Sequence, residues 1–264
     1  MLSPGQRAEL AHVLQVAETD RAAVSPIAAS YPDLDVDDAY RIQLHNIERR
    51  VHDGARIVGH KVGLSSEAMQ QMMGVDEPDY GHLLSDMALD ESVPVAATRY
   101  LLPRVEPEVG FVLGADLPGQ GCTEQDVLDA TSYVAAALEL IDSRIENWKI
   151  GLVDTIADNA SSAGFVLGAR QVDPLDVDLT TIPVTLTRNA DEVGVGRSDA
   201  VLGNPLTSVA WLARKVAGFG VRLRAGHVIL PGSCTRAVDA RPGDVFRADF
   251  GPLGPVSLTF EGAA

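Results

Sequence analysis

Glu106 and Glu108 stand two residues apart in the run RVEPEVGFVLG, residues 104–114, which otherwise reads as a buried strand. Side chains alternate across a strand, so both carboxylates share a face with Arg104 while Val105 and Val109 look the other way. Like charges held together need a positive counterpart. They can converge on one hard cation, a third carboxylate completing an oxygen site of the kind that suits magnesium or manganese. Alternatively, Arg104 or Arg144 can neutralise them in ordinary ion pairs. Glu139, in the apolar stretch ALELID, is the third-carboxylate candidate, because buried glutamates are rare unless paired.

Lys61 is the second candidate. The chain has only three lysines, Lys61, Lys149 and Lys215, among 21 basic residues, and Lys61 lies in the apolar, glycine-containing run ARIVGHKVGL. Such a lysine either snorkels to the surface or sits desolvated, where it can stabilise an oxyanion or move a proton. Other chemistries lack their residues. The six histidines show no HxH or HExxH spacing, no Walker or GxGxxG loop is present, and no GxSxG anchors a catalytic triad. Cys122 and Cys234 lie far apart with no CxxC, which points to free thiols.

The elements that must position these residues can be read from periodicity. Ser3-Pro4 starts a helix carrying Leu10, Val13, Leu14 and Ala17, and a second helix over about 37–53 carries Tyr40, Leu44, Ile47 and Val51 before stopping at Gly54. ARIVGHKVGL reads as a strand with Lys61 facing the same way as Ile57, Gly59 and Gly63. SSEAMQQMMG suggests a helix with a core stripe of Met69, Met72 and Met73 ending at Gly74, and DEPDYG a turn. A helix from Thr123 is expected to give way to strand near Ala137. A hairpin around TRNADE and a helix opened by Asn204-Pro205 follow. The strand-like runs VRLRAGHVIL, DVFRADF and VSLTFE close the chain. The reading is an α+β chain, with an N-terminal helical segment over 1–54 and a β-rich domain over 55–264.

With 46% hydrophobic residues in 264, the chain can bury a large core, and the net charge of −16 argues against a polyanionic partner such as nucleic acid. No apolar run approaches the roughly 18 residues of a membrane span and no signal-peptide pattern opens the chain, so a cytoplasmic protein is expected.

The segments GHKVGLSSEAMQQMMGVDEPDYGHLLSDM, RVEPEVGFVLGADL, ELIDSRI and DTIADNASSAGFVLG, in that order, resemble the 2-keto-4-pentenoate (2-hydroxypenta-2,4-dienoate) hydratases of the fumarylacetoacetate hydrolase superfamily. The resemblance implies a mixed β-roll with a helical N-terminal part, and a magnesium or manganese ion held by Glu106, Glu108 and Glu139. It implies Lys61 and Asp79 as catalytic residues and Ser161 as a pocket residue. Thr235, in the glycine-containing loop LPGSCTRA, is a further expected substrate contact, and the loop VLGNPL is expected to border the pocket. The implied reaction adds water to 2-hydroxypenta-2,4-dienoate or a close alkyl homologue, giving 4-hydroxy-2-oxopentanoate, in meta-cleavage catabolism of aromatic or steroid rings. Two alternatives stay open: decarboxylation of 2-oxo-3-hexenedioate, and a non-catalytic partner of a pathway enzyme. The resemblance also implies a homo-oligomer, a pentamer or decamer, and leaves open association with a neighbouring pathway enzyme.

Overall fold

Helix α1 (Pro4–Asp20) opens on a capping box, in which Ser3 and Gln6 satisfy each other's backbone amides and proline occupies the first turn. Its inward stripe is Leu10, Ala11, Leu14 and Ala17; Val13, expected on that face, is exposed. After a short turn of helix, α2 (Ile27–Ser30), α3 (Val36–His52) begins at the Asp35 cap and buries Tyr40, Ile42, Gln43 and Ile47, leaving Val51 outside. The computed structural model of the chain describes residues 1–66, 70, 71, 75 and 77–262, so Met69, Met72, Met73, Gly74 and Asp76 lie outside the described residues.

The strands are β1 (Ile57–Gly63), β2 (Asp79–Leu84), β3 (Arg104–Leu113), β4 (Thr131–Ile141), β5 (Ser162–Leu167), β6 (Pro183–Arg188), β7 (Asp191–Arg197), β8 (Val228–Leu230), β9 (Val238–Asp239), β10 (Val245–Asp249) and β11 (Pro255–Thr259). The helices α4 (Glu124–Ala130), α5 (Leu152–Ala157) and α6 (Pro205–Ala217) interrupt them. One sheet runs β2-β1-β8-β3-β4-β5 with β9 also on β3; a second, four-stranded sheet runs β11-β10-β6-β7. Among the strand pairs of the described residues, only β1–β8 is parallel. This is the mixed α+β, sheet-rich architecture expected. The β6–β7 hairpin turns through Asn189 and Ala190, both at positive φ, as a two-residue turn between twisted strands requires. In α6, Leu206, Val209 and Leu212 are buried as their spacing predicts.

Three boundaries differ from the sequence reading, one of them in DEPDYG, read as a turn, where Asp79, Tyr80 and Gly81 already belong to β2 and pair with β1. The helix-to-strand change falls at Ala130–Thr131, not near Ala137. Ala135, Ala136 and Ala137 are strand residues, fully buried, with Ala135 opposite Gly110 of β3 and β10 and β11 packed against β4. Small side chains serve close packing here, and that overrides their helix propensity. In VRLRAGHVIL only 228–230 is strand, because His227 closes a turn onto the Arg224 carbonyl with Gly226 at φ 82°. The core runs without a break from Leu10 and Tyr40 through Val105 and Val109 to Phe246 and Leu258. No helix of the described residues is long and apolar enough to cross a membrane.

Candidate active site

β3 and β4 pair so that Glu106 lies directly opposite Glu139, and the two-residue step along β3 brings Glu108 to the same face. Carboxylate oxygens of the three come within 4.8 Å of one another, in a group at most 8% exposed. Pro107 stands between them where β3 has β4 on one side and, between its pairings with β9 and β8, only the loop carrying Ser233 and Cys234 on the other. The missing amide of proline is therefore not needed for a strand ladder there.

Neither arginine supplies the counter-charge. Arg104 is ion-paired with Asp239 at 2.9 Å and lies over the Trp148 ring, and Arg144 is paired with Asp158. The positive group is Lys61, whose Nζ stands 3.4 Å from Glu139 Oε2 and donates to the Ala160 carbonyl at 2.9 Å. Burial alone would push this ammonium down, but Glu139, Asp79, Glu106 and Glu108 hold it above the ordinary lysine value. Lys61 is desolvated and charged.

One ammonium does not neutralise three buried carboxylates. Burial raises the Glu106 carboxyl to about 7, against the pull of Lys61, and burial with Glu139 and Glu106 pushes Glu108 well above its usual range. Glu108 Oε1 finds no hydrogen-bond donor and Glu139 Oε2 has only its 3.4 Å ion pair with Lys61, while each residue's other oxygen is tied, to the Gly232 amide at 2.7 Å and to Ser162 Oγ at 2.9 Å. Buried carboxylate oxygens this short of donors are the donor set of a hard divalent cation, and the residues fit one.

Asp79, at the start of β2, faces Gly63 of β1 and accepts from Thr155 Oγ1 at 2.7 Å on Oδ2, while its buried Oδ1 has no hydrogen-bond partner. A Cβ on Gly63 would lie 2.3 Å from that oxygen and 3.1 Å from Lys61 Nζ, so glycine opens the space in which the two groups approach. Ser161 is buried, its Oγ without a partner, in a left-handed turn that follows α5. Lys61, Asp79, Glu106, Glu108, Glu139 and Ser161 thus gather on β1 to β4 and the turn before β5.

Thr235 follows Ser233, which is bridged to Glu108 and whose Oγ accepts from the Thr235 amide at 3.4 Å. It packs beside Gly194 and Gly196 of β7, and its hydroxyl donates to the Arg236 carbonyl. The same loop reaches the carboxylates through Gly232, which has φ 128° and whose added Cβ would strike Ser65 Oγ; only glycine fits there. The VLGNPL loop meets Ser65 as well, through the Leu202 amide. Thr155, Ser162 and Gly232 were not singled out from sequence. Their side-chain types are common in turns, and only the tertiary arrangement marks them. The His60 ring lies tilted against those of His82 and His227, at centroid distances of 4.7 and 5.5 Å, with His60 and His82 held below the ordinary imidazole value by burial. Among the described residues they do not form a metal-competent group.

The family model for the fumarylacetoacetate (FAA) hydrolase C-terminal region matches residues 64–261. The 2-keto-4-pentenoate hydratase of Paraburkholderia xenovorans (strain LB400) is 44% identical over 260 residues, covering 98% of this chain and 97% of its own. The 2-oxo-hept-4-ene-1,7-dioate hydratase of Escherichia coli is 41% identical, covering 95% and 96%. Among solved structures, the 4-oxalocrotonate decarboxylase from Pseudomonas putida G7, complexed with magnesium and adipate, superposes with a TM-score of 0.95 at 37% identity, over 98% of this chain and 99% of that one. A second structure of that decarboxylase holds calcium and acetate. With its sequence matched across most of its length and its sheet carrying the three-carboxylate group, the chain belongs to the fumarylacetoacetate hydrolase family, among the relatives of the 2-keto-4-pentenoate hydratases.

Proposed function

We propose that the protein is a hydro-lyase that adds water to 2-hydroxypenta-2,4-dienoate, or a close alkyl homologue, giving 4-hydroxy-2-oxopentanoate with a divalent cation as cofactor. The observation that carries the reading is the buried group of Glu106, Glu108 and Glu139 beside a charged Lys61. The 44% identity to 2-keto-4-pentenoate hydratases supports the choice of reaction. Magnesium or manganese suits three hard oxygen donors, and magnesium is the ion in the decarboxylase relative.

When bound, the cation supplies Lewis-acid charge at the substrate's carboxylate and C2 oxygen. The chain's own groups do the rest. The Lys61 ammonium, fixed by Ala160 and Glu139, offers positive charge to the developing enolate. Asp79, fixed through Oδ2 by Thr155, presents Oδ1 to hold a water or carry a proton. Overall C5 gains a proton and C4 a hydroxide, together one water, while the C2 enol gives up its proton and C3 gains one, which leaves the 2-oxo product. The buried, unpartnered Ser161 hydroxyl supports its reading as the group that takes a substrate oxygen. Burial of all these groups excludes bulk water and strengthens each interaction.

The test follows the dienol's ultraviolet absorbance with and without chelator, together with carbon dioxide. Chelator-sensitive loss of absorbance without carbon dioxide is the expected result. Carbon dioxide release would assign the decarboxylase reaction of the structural relative, and no loss would leave a non-catalytic partner. Gly63→Ala is expected to lower kcat about 10- to 100-fold, because its Cβ displaces both Asp79 and Lys61 from their approach. Steady-state kinetics at saturating Mg2+ check it; unchanged kcat would remove Asp79 and Lys61 from the rate-limiting chemistry.

A further inference from the structure

Residues 155–162 touch each part of the machinery. Thr155 donates to Asp79, the Ala160 carbonyl accepts from Lys61, and Ser162 donates to Glu139. Between these contacts Asn159, Ala160 and Ser161 turn left-handed, with φ of 54°, 50° and 55°. That hand presses Cβ toward the following carbonyl, so residues other than glycine seldom take it in succession, and where this chain has pairs, as at Asn189 and Ala190, the run stops at two. The turn must be held from outside.

Arg144 supplies the hold. Its buried guanidinium donates through Nε to the Asp158 carboxylate and through its terminal nitrogens to the Asp158 and Asp142 carbonyls, with a longer contact to the Ser162 carbonyl at 3.4 Å. Its backbone amide donates to Asp158 at 2.9 Å, and the neighbouring Asp142 amide donates to the Ser161 carbonyl at 2.8 Å. One planar fork therefore grips the residue before the turn and the residue after it. It anchors both to the end of β4, the strand that carries Glu139.

We propose that Arg144 is a positioning residue for the hydration: by clamping the left-handed turn it fixes the carbonyl that aims Lys61 and the serine that aims Glu139. This rests on the hydratase reading above. Arg144 touches neither the carboxylate group nor Lys61, so its effect passes through backbone geometry alone.

Arg144→Lys keeps a cation but loses the fork. In the full-length protein with Mg2+, kcat on 2-hydroxypenta-2,4-dienoate should fall about 100-fold, the cost of a displacement of about 1 Å at the reacting groups. Mg2+ affinity by calorimetry should fall less than kcat, by at most about tenfold, the lower end for outer-shell partners, because the clamp reaches only Glu139 of the three carboxylates while Glu106 and Glu108 stand on β3. Adding Ala160→Gly should recover roughly tenfold in kcat, since glycine takes positive φ without strain. A variant that merely loosened the fold would lose more with an added glycine. Amide exchange at Asp142, which donates to the turn, should speed up at least about tenfold in Arg144→Lys. The proposal is overturned by kcat near wild type, by an Arg144→Lys chain that does not fold, by no recovery with Ala160→Gly, or by unchanged exchange at Asp142. A wild-type chain that binds Mg2+ but leaves the dienoate intact would sink the hydratase reading instead, and Asp142 exchange would still judge the clamp.

Discussion

Glu108→Gln is expected to cost at least about a thousandfold in kcat/KM, about 4 kcal/mol of transition-state stabilisation, and to abolish measurable Mg2+ binding in calorimetry. The same substitution should make the metal-free protein more stable at pH 8. Glu108 is pushed well above its usual range by burial and by the facing Glu139 and Glu106, and glutamine reproduces its protonated form without the charge. The direction follows from proton counting. A carboxyl whose folded pKa lies above its unfolded value binds more protons in the native state, so stability falls as pH rises through that interval. Glu106, raised to about 7, and Glu108 both act this way. His60 and His82, held below their ordinary value, act oppositely, and their contribution is lost as pH falls below about 6.5. Between pH 6.5 and 8 the carboxyls prevail. Melting of the chelated wild type should therefore decline across that window, and Glu108→Gln should flatten the decline. Saturating Mg2+ should reverse it for the wild type, because a cation binds the deprotonated site and its stabilisation grows with pH. A chelated wild type that gains stability from pH 6.5 to 8 would contradict the buried, uncompensated carboxylate group.

Lys61→Met should separate chemistry from metal binding. Turnover is expected to fall by about 10²- to 10⁴-fold, the range for a removed acid, base or charge donor. Mg2+ affinity should hold or tighten, since a cation 3.4 Å from Glu139 no longer competes for that carboxylate. The metal-free variant should lose roughly 3–5 kcal/mol of stability, as when one partner of a buried pair is removed. Mg2+ should restore most of it. Near-normal turnover with the ion bound would eliminate Lys61 from the reaction.

The carboxylate group was legible because a strand's pleat is rigid: two glutamates at i and i+2 must share a face, and an apolar run that contains Glu139 must bury it. Lys61 stood out by its rarity among arginines and its apolar neighbours. What supports these residues was not legible. An alanine run looks helical until Gly110 and the second sheet crowd it into a strand. Three consecutive left-handed residues without a glycine carry no local signature, because contacts from Arg144, His82 and Asp142 impose them. The alternative that Arg104 or Arg144 supplies the counter-charge fails for the same reason. Sequence proximity placed them beside the carboxylates, whereas Asp239 and Asp158, distant in the chain, had already claimed them.

The register of β3 against β4 sets Glu106 opposite Glu139 and puts Ser162 of β5 within reach of the latter. A slip of one residue in that pairing would turn one strand's carboxylates to the other face, leaving Glu106 and Glu139 on opposite sides of the sheet. Capture of a divalent cation there would thus be a proofreading event for folding as well as a preparation for chemistry. Only chains whose central strands have aligned correctly can hold the metal, so the fraction of chains that binds it counts the fraction that has paired in register.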